Sequence, residues 1–184
     1  MITRDEALVL LRDNVENDQL VAHSLESEAV LRALAAKFGR DEDLWALTGL
    51  LHDLDYTATA DAFERHGLDG AAMLEGKLPE EALHAIRAHN GEMTGVAPET
   101  ELDFALRCGE TVTGLVHANA LVRPGGLNGM KAKSLKKKMK EKAFAASVNR
   151  DNIREYERIG LDEGDFFTLS IKAVTSVADL VGLG

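Results

Sequence analysis

The amino-acid sequence predicts an all-α protein. Alanine and leucine, which favour helices, recur along the whole chain, whereas aromatic residues make up only 5% of it. Only three prolines interrupt the 184 residues, so long helices are possible. The chain is long enough for one sizeable core, and it contains no internal repeat or evident linker. We expect about eight helices in a single domain that covers residues 1–184.

Three helices are predicted in the first third of the chain. Thr3 followed by Glu6 forms a capping-box pattern that opens a short helix. A second helix is predicted at residues 18–38, where apolar residues recur at helical spacing and Gly39 provides a stop. A third is predicted at residues 41–53. Because it is apolar on nearly all sides, we expect it to be buried at the centre of the protein.

The rest of the chain predicts shorter helices, separated by glycine, proline and polar segments. Residues 56–76 favour helical pieces that break at Gly67 and Gly76. Pro79 suits the first turn of a helix, where its missing N–H costs nothing. Further helices are predicted at residues 79–90, 99–122, 152–159 and 162–181, with a polar loop at 91–98 and a lysine-rich segment after residue 126.

Charge and cysteine content exclude several classes of protein. The formal net charge of −10 repels nucleic acid, so we do not expect a nucleic-acid partner. A single cysteine, Cys108, cannot form an internal disulfide and suits a reducing compartment. The acidic start is unlike a signal peptide, and no apolar stretch could cross a bilayer. We therefore expect a cytoplasmic protein, and the sequence favours no particular oligomeric state.

A carboxylate follows the predicted central helix directly. Asp53 comes after the apolar run 44–51 and is preceded by His52. A buried carboxylate is costly unless it finds a metal ion, a cation or several hydrogen-bond donors. Neighbouring residues point about 100° apart on a helix, so His52 and Asp53 could reach one ion only where the helix ends. Residues 55–57 indicate such an end. A chance His-Asp pair at a helix end is the alternative.

Glu110 raises the same question in another helix. It is the only formally charged residue between Arg107 and Arg123, in a segment predicted to be buried on most sides. Its carboxylate therefore needs a partner, which could be a metal ion or a neighbouring basic side chain. His117 follows two turns later on the same face, where it could line the same cavity or belong to the core.

The other histidines are ambiguous when each is taken alone. His89 lies on the apolar stripe of its predicted helix, and His23 flanks the apolar face of the second helix. His66 occurs at a helix break, where a ligand or an ordinary surface turn would both fit. His84 falls off the apolar stripe and is expected at the surface. Each of the first three could be a metal ligand or a residue without a functional role.

The order of these residues resembles the HD superfamily of metal-dependent phosphohydrolases, in its small stand-alone bacterial form. The segments that carry the resemblance are VAHSLESEAVLRALA, GLLHDLDY, RHGLDGAAML, AIRAHN, TVTGLVHANALVRP and KSLKKKMKEKAFAASVNRDNI. Together they cover nearly the whole chain. The ordered set is far more specific than any one of its segments.

The resemblance implies a helical fold that binds one or two divalent metal ions per chain. The implied ligands of the first ion are His23, His52, Asp53 and Glu110, and the positions that match a second ion are Asp53, His66 and His89. Relatives usually carry Asp where this chain has Glu110. The longer side chain reaches about 1.5 Å further, so it could ligate after a small helix shift or could weaken catalysis. Imidazole and carboxylate ligands without thiolate suit Mn, Fe, Co, Ni, Zn or Mg.

The same resemblance implies hydrolysis of a phosphoester or phosphoanhydride of a small molecule, with a nucleotide as the expected substrate and metal-bound hydroxide as the nucleophile. Asp53 would bridge two ions, and Asp55 would orient the attacking water or cap the next segment. Residues 131–142 contain seven lysines and one glutamate. They could form a cationic lip for the substrate, with Lys136 and Lys137 as contacts, or a solvated helix face.

Two further functions remain open at this point. Some proteins of this fold that resemble this chain are di-iron oxygenases, and the set of histidines and carboxylates permits two irons. A non-catalytic module that senses metal or nucleotide is the other alternative, supported by Glu110 in place of Asp. Nucleic-acid binding is disfavoured again, because the lysine run lacks interleaved aromatic residues for base stacking.

Overall fold

The computed structural model describes residues 1–184 as helices and connecting segments without a strand, which confirms the predicted all-α class. Ten α-helices and three short 3₁₀ helices follow one another along the chain. The α-helices are α1 (Arg4–Asn14), α2 (Asp18–Phe38), α3 (Glu42–Leu51), α4 (Leu68–Met73), α5 (Glu80–His89), α6 (Gly91–Thr94), α7 (Glu101–Val122), α8 (Ala132–Lys140), α9 (Arg150–Arg154) and α10 (Glu163–Ser176). The 3₁₀ helices are Phe63–Arg65, Glu155–Ile159 and Ala178–Leu180.

Side-chain caps define where the helices begin. Thr3 accepts a hydrogen bond from the Glu6 N–H, and the Glu6 carboxylate accepts one from the Thr3 N–H, as the capping-box pattern predicts. Asn17 and Asp41 cap α2 and α3 in a similar way. Gly39 closes α2 with a φ of 64°, a left-handed conformation that glycine adopts without strain.

The core is built around α2, α3 and α7. Helix α3 packs along α2, and α7 packs against α2 and α5. Every residue from Leu44 to Leu51 is buried, so the prediction of a central third helix is confirmed. The buried apolar side chains form one continuous cluster of 46 residues.

Helices α2 and α3 approach each other closely at one glycine. A Cβ atom placed on Gly49 would lie 2.7 Å from the backbone oxygen of Ser27, which is too close for any side chain. Gly49 therefore permits a contact between the two backbones. This contact brings the end of α3, which His52 directly follows, against the helix that carries His23.

The structure differs from the predicted elements at several ends. Helix α3 ends at Leu51, two residues earlier than predicted, so His52 and Asp53 lie in the turn that follows it. The predicted loop at 91–98 contains the short helix α6, and the predicted helix at 152–159 starts at Arg150 and tightens to 3₁₀ geometry from Glu155. No helix combines the length and the apolar character that are needed to cross a membrane.

Candidate metal centre

Asp53 lies at the centre of a ring of imidazoles. Its side chain is buried, and four histidine Nε2 atoms approach its two oxygens. They belong to His52, His66 and His89, at 3.3, 3.2 and 3.5 Å from Oδ1, and to His23, at 3.7 Å from Oδ2. Helix α2, the turn after α3, the segment before α4 and the end of α5 each supply one of these histidines.

Backbone carbonyls fix the orientation of two of the rings. The Nδ1 atom of His52 lies 2.8 Å from the Gly49 oxygen, and the Nδ1 atom of His89 lies 2.5 Å from the Ile86 oxygen. Because a carbonyl oxygen only accepts, each Nδ1 must carry a proton and donate it. In the neutral ring the lone pair is then on Nε2, which faces Asp53.

Side chains fix the other two rings in the same way. The Thr113 hydroxyl donates to the Glu110 carbonyl at 2.7 Å, so it accepts from Nδ1 of His23, at 2.9 Å. Nδ1 of His66 donates to Oδ1 of Asp55 at 2.8 Å. A metal-ligating histidine nearly always donates its other N–H to a carbonyl or carboxylate, which orients the ring. Carbonyls, a carboxylate and a hydroxyl serve this purpose here.

The Nε2 atoms meet in two pairs that need a cation. Nε2 of His23 lies 3.2 Å from Nε2 of His52, and Nε2 of His66 lies 3.1 Å from Nε2 of His89. Two neutral acceptors repel each other at this distance unless a proton or a metal ion lies between them. Ligand atoms that share a metal ion at about 2.0–2.2 Å lie roughly 3 Å apart, so the spacing fits a bound ion.

These atoms form two ligand groups that share Asp53. His23, His52 and Asp53 form the first group, and Asp53, His66 and His89 form the second. Within each group the ligand atoms all lie within 4.8 Å of one another. Each group could hold a divalent ion, and the shared carboxylate could bridge two of them.

The pKa values of the central residues suit metal ligands. Burial lowers the pKa of His52 to about 3, so this imidazole is neutral at neutral pH. Burial alone would raise the pKa of Asp53, but the surrounding histidines outweigh it and hold that pKa well below its ordinary value. Burial also disfavours charge on His66, yet hydrogen bonds to Asp53 and Asp55 raise its pKa to about 9. A proton on Nε2 of His66 would occupy the place of a cation.

Glu110 lies beside the first ligand group, not within it. Its Oε2 atom is 3.6 Å from Nε2 of His23, while Oε1 accepts a hydrogen bond from the Thr111 hydroxyl. Burial, with further repulsion from Asp53, raises the pKa of Glu110 to about 8. The side chain lines the same pocket as the histidines. Its Oε2 atom would join the ligands only after the side chain moves closer to the first group.

Asp55 supports the site from behind. Its Oδ1 atom accepts from His66, and its Oδ2 atom accepts from the N–H groups of Gly67 and Gly70 at 2.8 and 2.7 Å. The carboxylate is fully buried by these contacts. The expectation that Asp55 orients a water molecule therefore needs correction, because the carboxylate is fully buried and does not line the pocket. The capping alternative matches the structure, and Asp55 also orients His66.

Lys136 and Lys137 do not reach the metal pocket, so their predicted contact with a substrate there needs correction. Helix α8 turns Leu135 and Met139 into the core, which directs its lysines away from the interior. Lys136 pairs with Glu163 at 3.3 Å, and the Lys137 side chain is 80% exposed. Both lysines line a separate cleft that shares no residue with the metal pocket.

The two other histidines make contacts outside the site. Nδ1 of His117 lies 2.6 Å from the buried carboxylate of Glu26, and this partly buried ring does not line the metal pocket. Nδ1 of His84 lies 3.0 Å from Oδ2 of Asp103, and the ring is half-buried. The expectation of a surface position for His84 was therefore only partly correct.

Arg107 is a supporting residue that the sequence interpretation missed. Its buried guanidinium donates to the backbone oxygens of Ala88 and His89, and it pairs with Glu92 and Glu155. It thereby ties the end of α5, which carries His89, to α7 and to the segment after α9. The available signal was an arginine flanked by apolar residues in a helix predicted to be largely buried, since a buried cation needs such partners.

The rim of the pocket was also missed. The pocket has a volume of about 450 Å³ and opens beside Tyr56 and Phe63. Residues that follow α8 complete its wall: Ser147, Val148 and Asn149 before α9, and Asn152 within it. Val148 packs closely against helix α7 at Gly114, where a Cβ would lie 3.1 Å from a methyl group of Val148. These residues have no chemical signature in the sequence, because only the fold brings them to the pocket.

Comparison with known proteins agrees with this geometry. A family model described as the HD domain matches residues 20–123, which is more than half of the chain. The matched range includes every predicted metal ligand from His23 to Glu110, whereas Lys136 and Lys137 lie outside it. Neither the curated proteins nor the solved structures gave a match. The chain therefore belongs to the HD-domain superfamily, whose members are in general metal-dependent phosphohydrolases.

Proposed function

We propose that this protein is a metal-dependent phosphohydrolase that cleaves a phosphoester or phosphoanhydride of a small molecule of the nucleotide class. The observation that carries the proposal is the convergence of four Nε2 atoms on the Asp53 carboxylate, in pairs 3.1 and 3.2 Å apart. A divalent ion would lower the pKa of a water molecule to near 7 and polarise a phosphoryl oxygen. His23, His52, His66, His89 and Asp53 would hold one or two such ions.

The supporting residues would keep the ligands ready for binding. The carbonyls behind His52 and His89 hold the lone pairs on the inner side of each ring. Asp55 and Thr113 do the same for His66 and His23. Because these contacts form without the ion, little reorganisation is needed when it binds.

The pocket rim supports a nucleotide as the substrate. Its volume of about 450 Å³ lies within the usual range for small-molecule sites. Tyr56 and Phe63 offer aromatic surface at the mouth, on which a base could stack. Asn90 donates Nδ2 to backbone carbonyls and Asn152 accepts from Arg107 through Oδ1, so Oδ1 of Asn90 and Nδ2 of Asn152 could bind the polar edge of a base or a sugar hydroxyl.

An iron-dependent oxygenase is the second candidate. The observation that favours it is the sharing of Asp53 by two ligand groups, since this arrangement could hold two irons as well as two hydrolytic ions. A hydrolase needs only water and a redox-inert ion. An oxygenase needs iron and molecular oxygen, so the two functions separate in one set of assays.

Phosphate release from metal-loaded protein tests the proposal. Purified protein would be stripped with a chelator, reloaded with Mg, Mn or Fe, and assayed under nitrogen with nucleotides and p-nitrophenyl phosphate. We expect metal-dependent phosphate release that falls at least about a hundredfold in Asp53→Asn. Asp61→Asn is the matched control, because Asp61 is exposed on the same segment.

Metal analysis completes the test, since it gives the identity and number of ions per chain. If wild type and Asp61→Asn both bind metal fully and release no phosphate, the proposed hydrolase function is contradicted. Turnover that requires both iron and oxygen would favour the oxygenase instead. Metal or nucleotide binding without any turnover would point to a sensing module.

A further inference from the structure

A second concave surface lies on α8 and the segment before it. We call it the lysine cleft. Its volume is about 600 Å³, and six cationic side chains line it: Arg123, Lys131, Lys133, Lys136, Lys137 and Lys140. Gly129 and Ser134 complete the lining, and no acidic or aromatic residue takes part. None of these residues lines the metal pocket.

The charge of the cleft is unusual for this chain. Acidic residues outnumber basic ones by 31 to 21, yet none faces the cleft. Lys131, Lys133 and Lys140 are exposed and form no ion pair, whereas Lys136 pairs with Glu163 at 3.3 Å and Nζ of Lys137 lies 4.0 Å from Glu141. Lysines three and four residues apart on one helix repel each other. An anion in the cleft would relieve that repulsion.

Packing holds the cationic groups in place. Leu135 and Met139 are buried on the opposite side of α8, so the helix cannot turn its lysines elsewhere. Arg123 at the end of α7 donates to the backbone oxygens of Gly126 and Asn128, which fixes its guanidinium at the cleft. The cleft is therefore a preformed cationic surface and not a mobile tail.

The surroundings determine the class of anion. Without aromatic residues the lining cannot stack nucleobases, so it recognises charge alone. An extended polyanion would run from the cleft onto the rest of a chain whose overall net charge is −10. Screening acts over about 8 Å at physiological ionic strength, so a compact anion inside the cleft is affected mainly by the lysines. We infer that the lysine cleft binds a compact polyphosphorylated anion, at a site separate from the metal pocket.

Calorimetric titration with inorganic tripolyphosphate tests the inference. The titration would be run in the presence of a chelator, so that no metal ion attracts the probe to the metal pocket. The cleft variant is Lys133→Gln/Lys137→Gln/Lys140→Gln. The control variant is Lys77→Gln/Lys142→Gln/Lys172→Gln, which removes the same charge from exposed lysines outside the cleft. Asp53→Asn is the control for the metal pocket.

We expect the cleft variant to bind tripolyphosphate at least about tenfold more weakly than wild type. The control variant and Asp53→Asn should bind as wild type does. Absence of binding to wild type, or equal losses in the two lysine variants, would overturn the inference. A changed affinity in Asp53→Asn, expected to be tighter because a negative charge is removed, would place the probe in the metal pocket. Tighter binding of a mixed-sequence single-stranded RNA at the same salt would assign the cleft to an extended polyanion.

Discussion

At the scale of single residues, the site depends on the groups behind the ligands. Each imidazole presents Nε2 to Asp53 because its Nδ1 atom donates to a fixed acceptor. Asp55 has the largest role among these acceptors, since it holds His66 and caps α4 at the same time. A side chain that never touches the substrate can therefore control metal affinity.

Asp55→Asn tests this control. Asparagine has one acceptor oxygen in place of two, so it cannot serve both His66 and the N–H groups of Gly67 and Gly70. We expect metal affinity to fall by about 10–100-fold, as for other residues that orient a metal ligand. Metal titration of Asp55→Asn and Asp61→Asn would measure the effect. A variant that loses thermal stability but retains its metal affinity would show that Asp55 only caps α4.

The pair of His117 and Glu26 makes stability depend on pH. The hydrogen bond to Glu26 raises the pKa of His117 above its ordinary value of 6.5, against partial burial. A folded pKa above the unfolded one means that the stabilisation is complete below about pH 6.5 and is lost as pH rises through the folded value. Urea unfolding would give the difference in free energy of unfolding between wild type and His117→Gln. We expect this difference to be smaller at about pH 9 than at about pH 6. A difference that is constant with pH would mean that the imidazole carries no charge in this pair.

At the scale of helices, the crossing of α2 and α3 positions the first ligand group. His23 projects from α2 and His52 follows α3, and the two helices meet at Gly49. The carbonyl of Gly49 also accepts from His52, so the same residue permits the crossing and orients the ligand. Close packing and metal geometry are therefore linked through one position.

Gly49→Ala should separate these helices. Its Cβ would meet the Ser27 backbone at 2.7 Å, and backbone atoms cannot move aside cheaply. We expect a loss of about 1–3 kcal/mol in the free energy of unfolding, despite the better helix propensity of alanine. Gly114→Ala is the control, because its Cβ would meet only a side-chain methyl of Val148 at 3.1 Å. Urea unfolding would contradict the argument if the two variants proved equally stable.

At the scale of the whole molecule, the ligands come from distant parts of the chain. Helix α2, the turn after α3, the segment before α4, the end of α5 and the middle of α7 all contribute to one pocket. Arg107 adds a second link between α5, α7 and the segment after α9. A bound ion would therefore connect most of the fold, and its free energy of binding would stabilise the whole domain.

Thermal unfolding should show this coupling. An ion at a hundred times its dissociation constant adds about 2.7 kcal/mol to the native state. For a domain of this size that corresponds to a rise in Tm of roughly 5–10 °C over the chelated protein. Differential scanning calorimetry of wild type and Asp53→Asn would measure it. A rise of equal size in Asp53→Asn would place the ion outside the Asp53 site.

The sequence by itself determined the helical class, several helix starts and stops, and the residue types of a candidate metal site. These features depend on local chemistry: a cap such as Thr3, a stop such as Gly39, and a carboxylate such as Asp53 after an apolar helix. Such signals act within a few residues, so they can be recognised in the sequence without knowledge of the tertiary structure. Resemblance to a family then ordered the separate signals into one site.

Tertiary structure alone decided which of these groups meet. It brought His23 and His89 close to Asp53. It also paired His117 with Glu26 and Asp55 with His66. It also placed the lysines of α8 in a cleft of their own. The physical reason is that each contact joins elements far apart in the chain, whose relative positions depend on how their buried faces pack and not on the residues beside them.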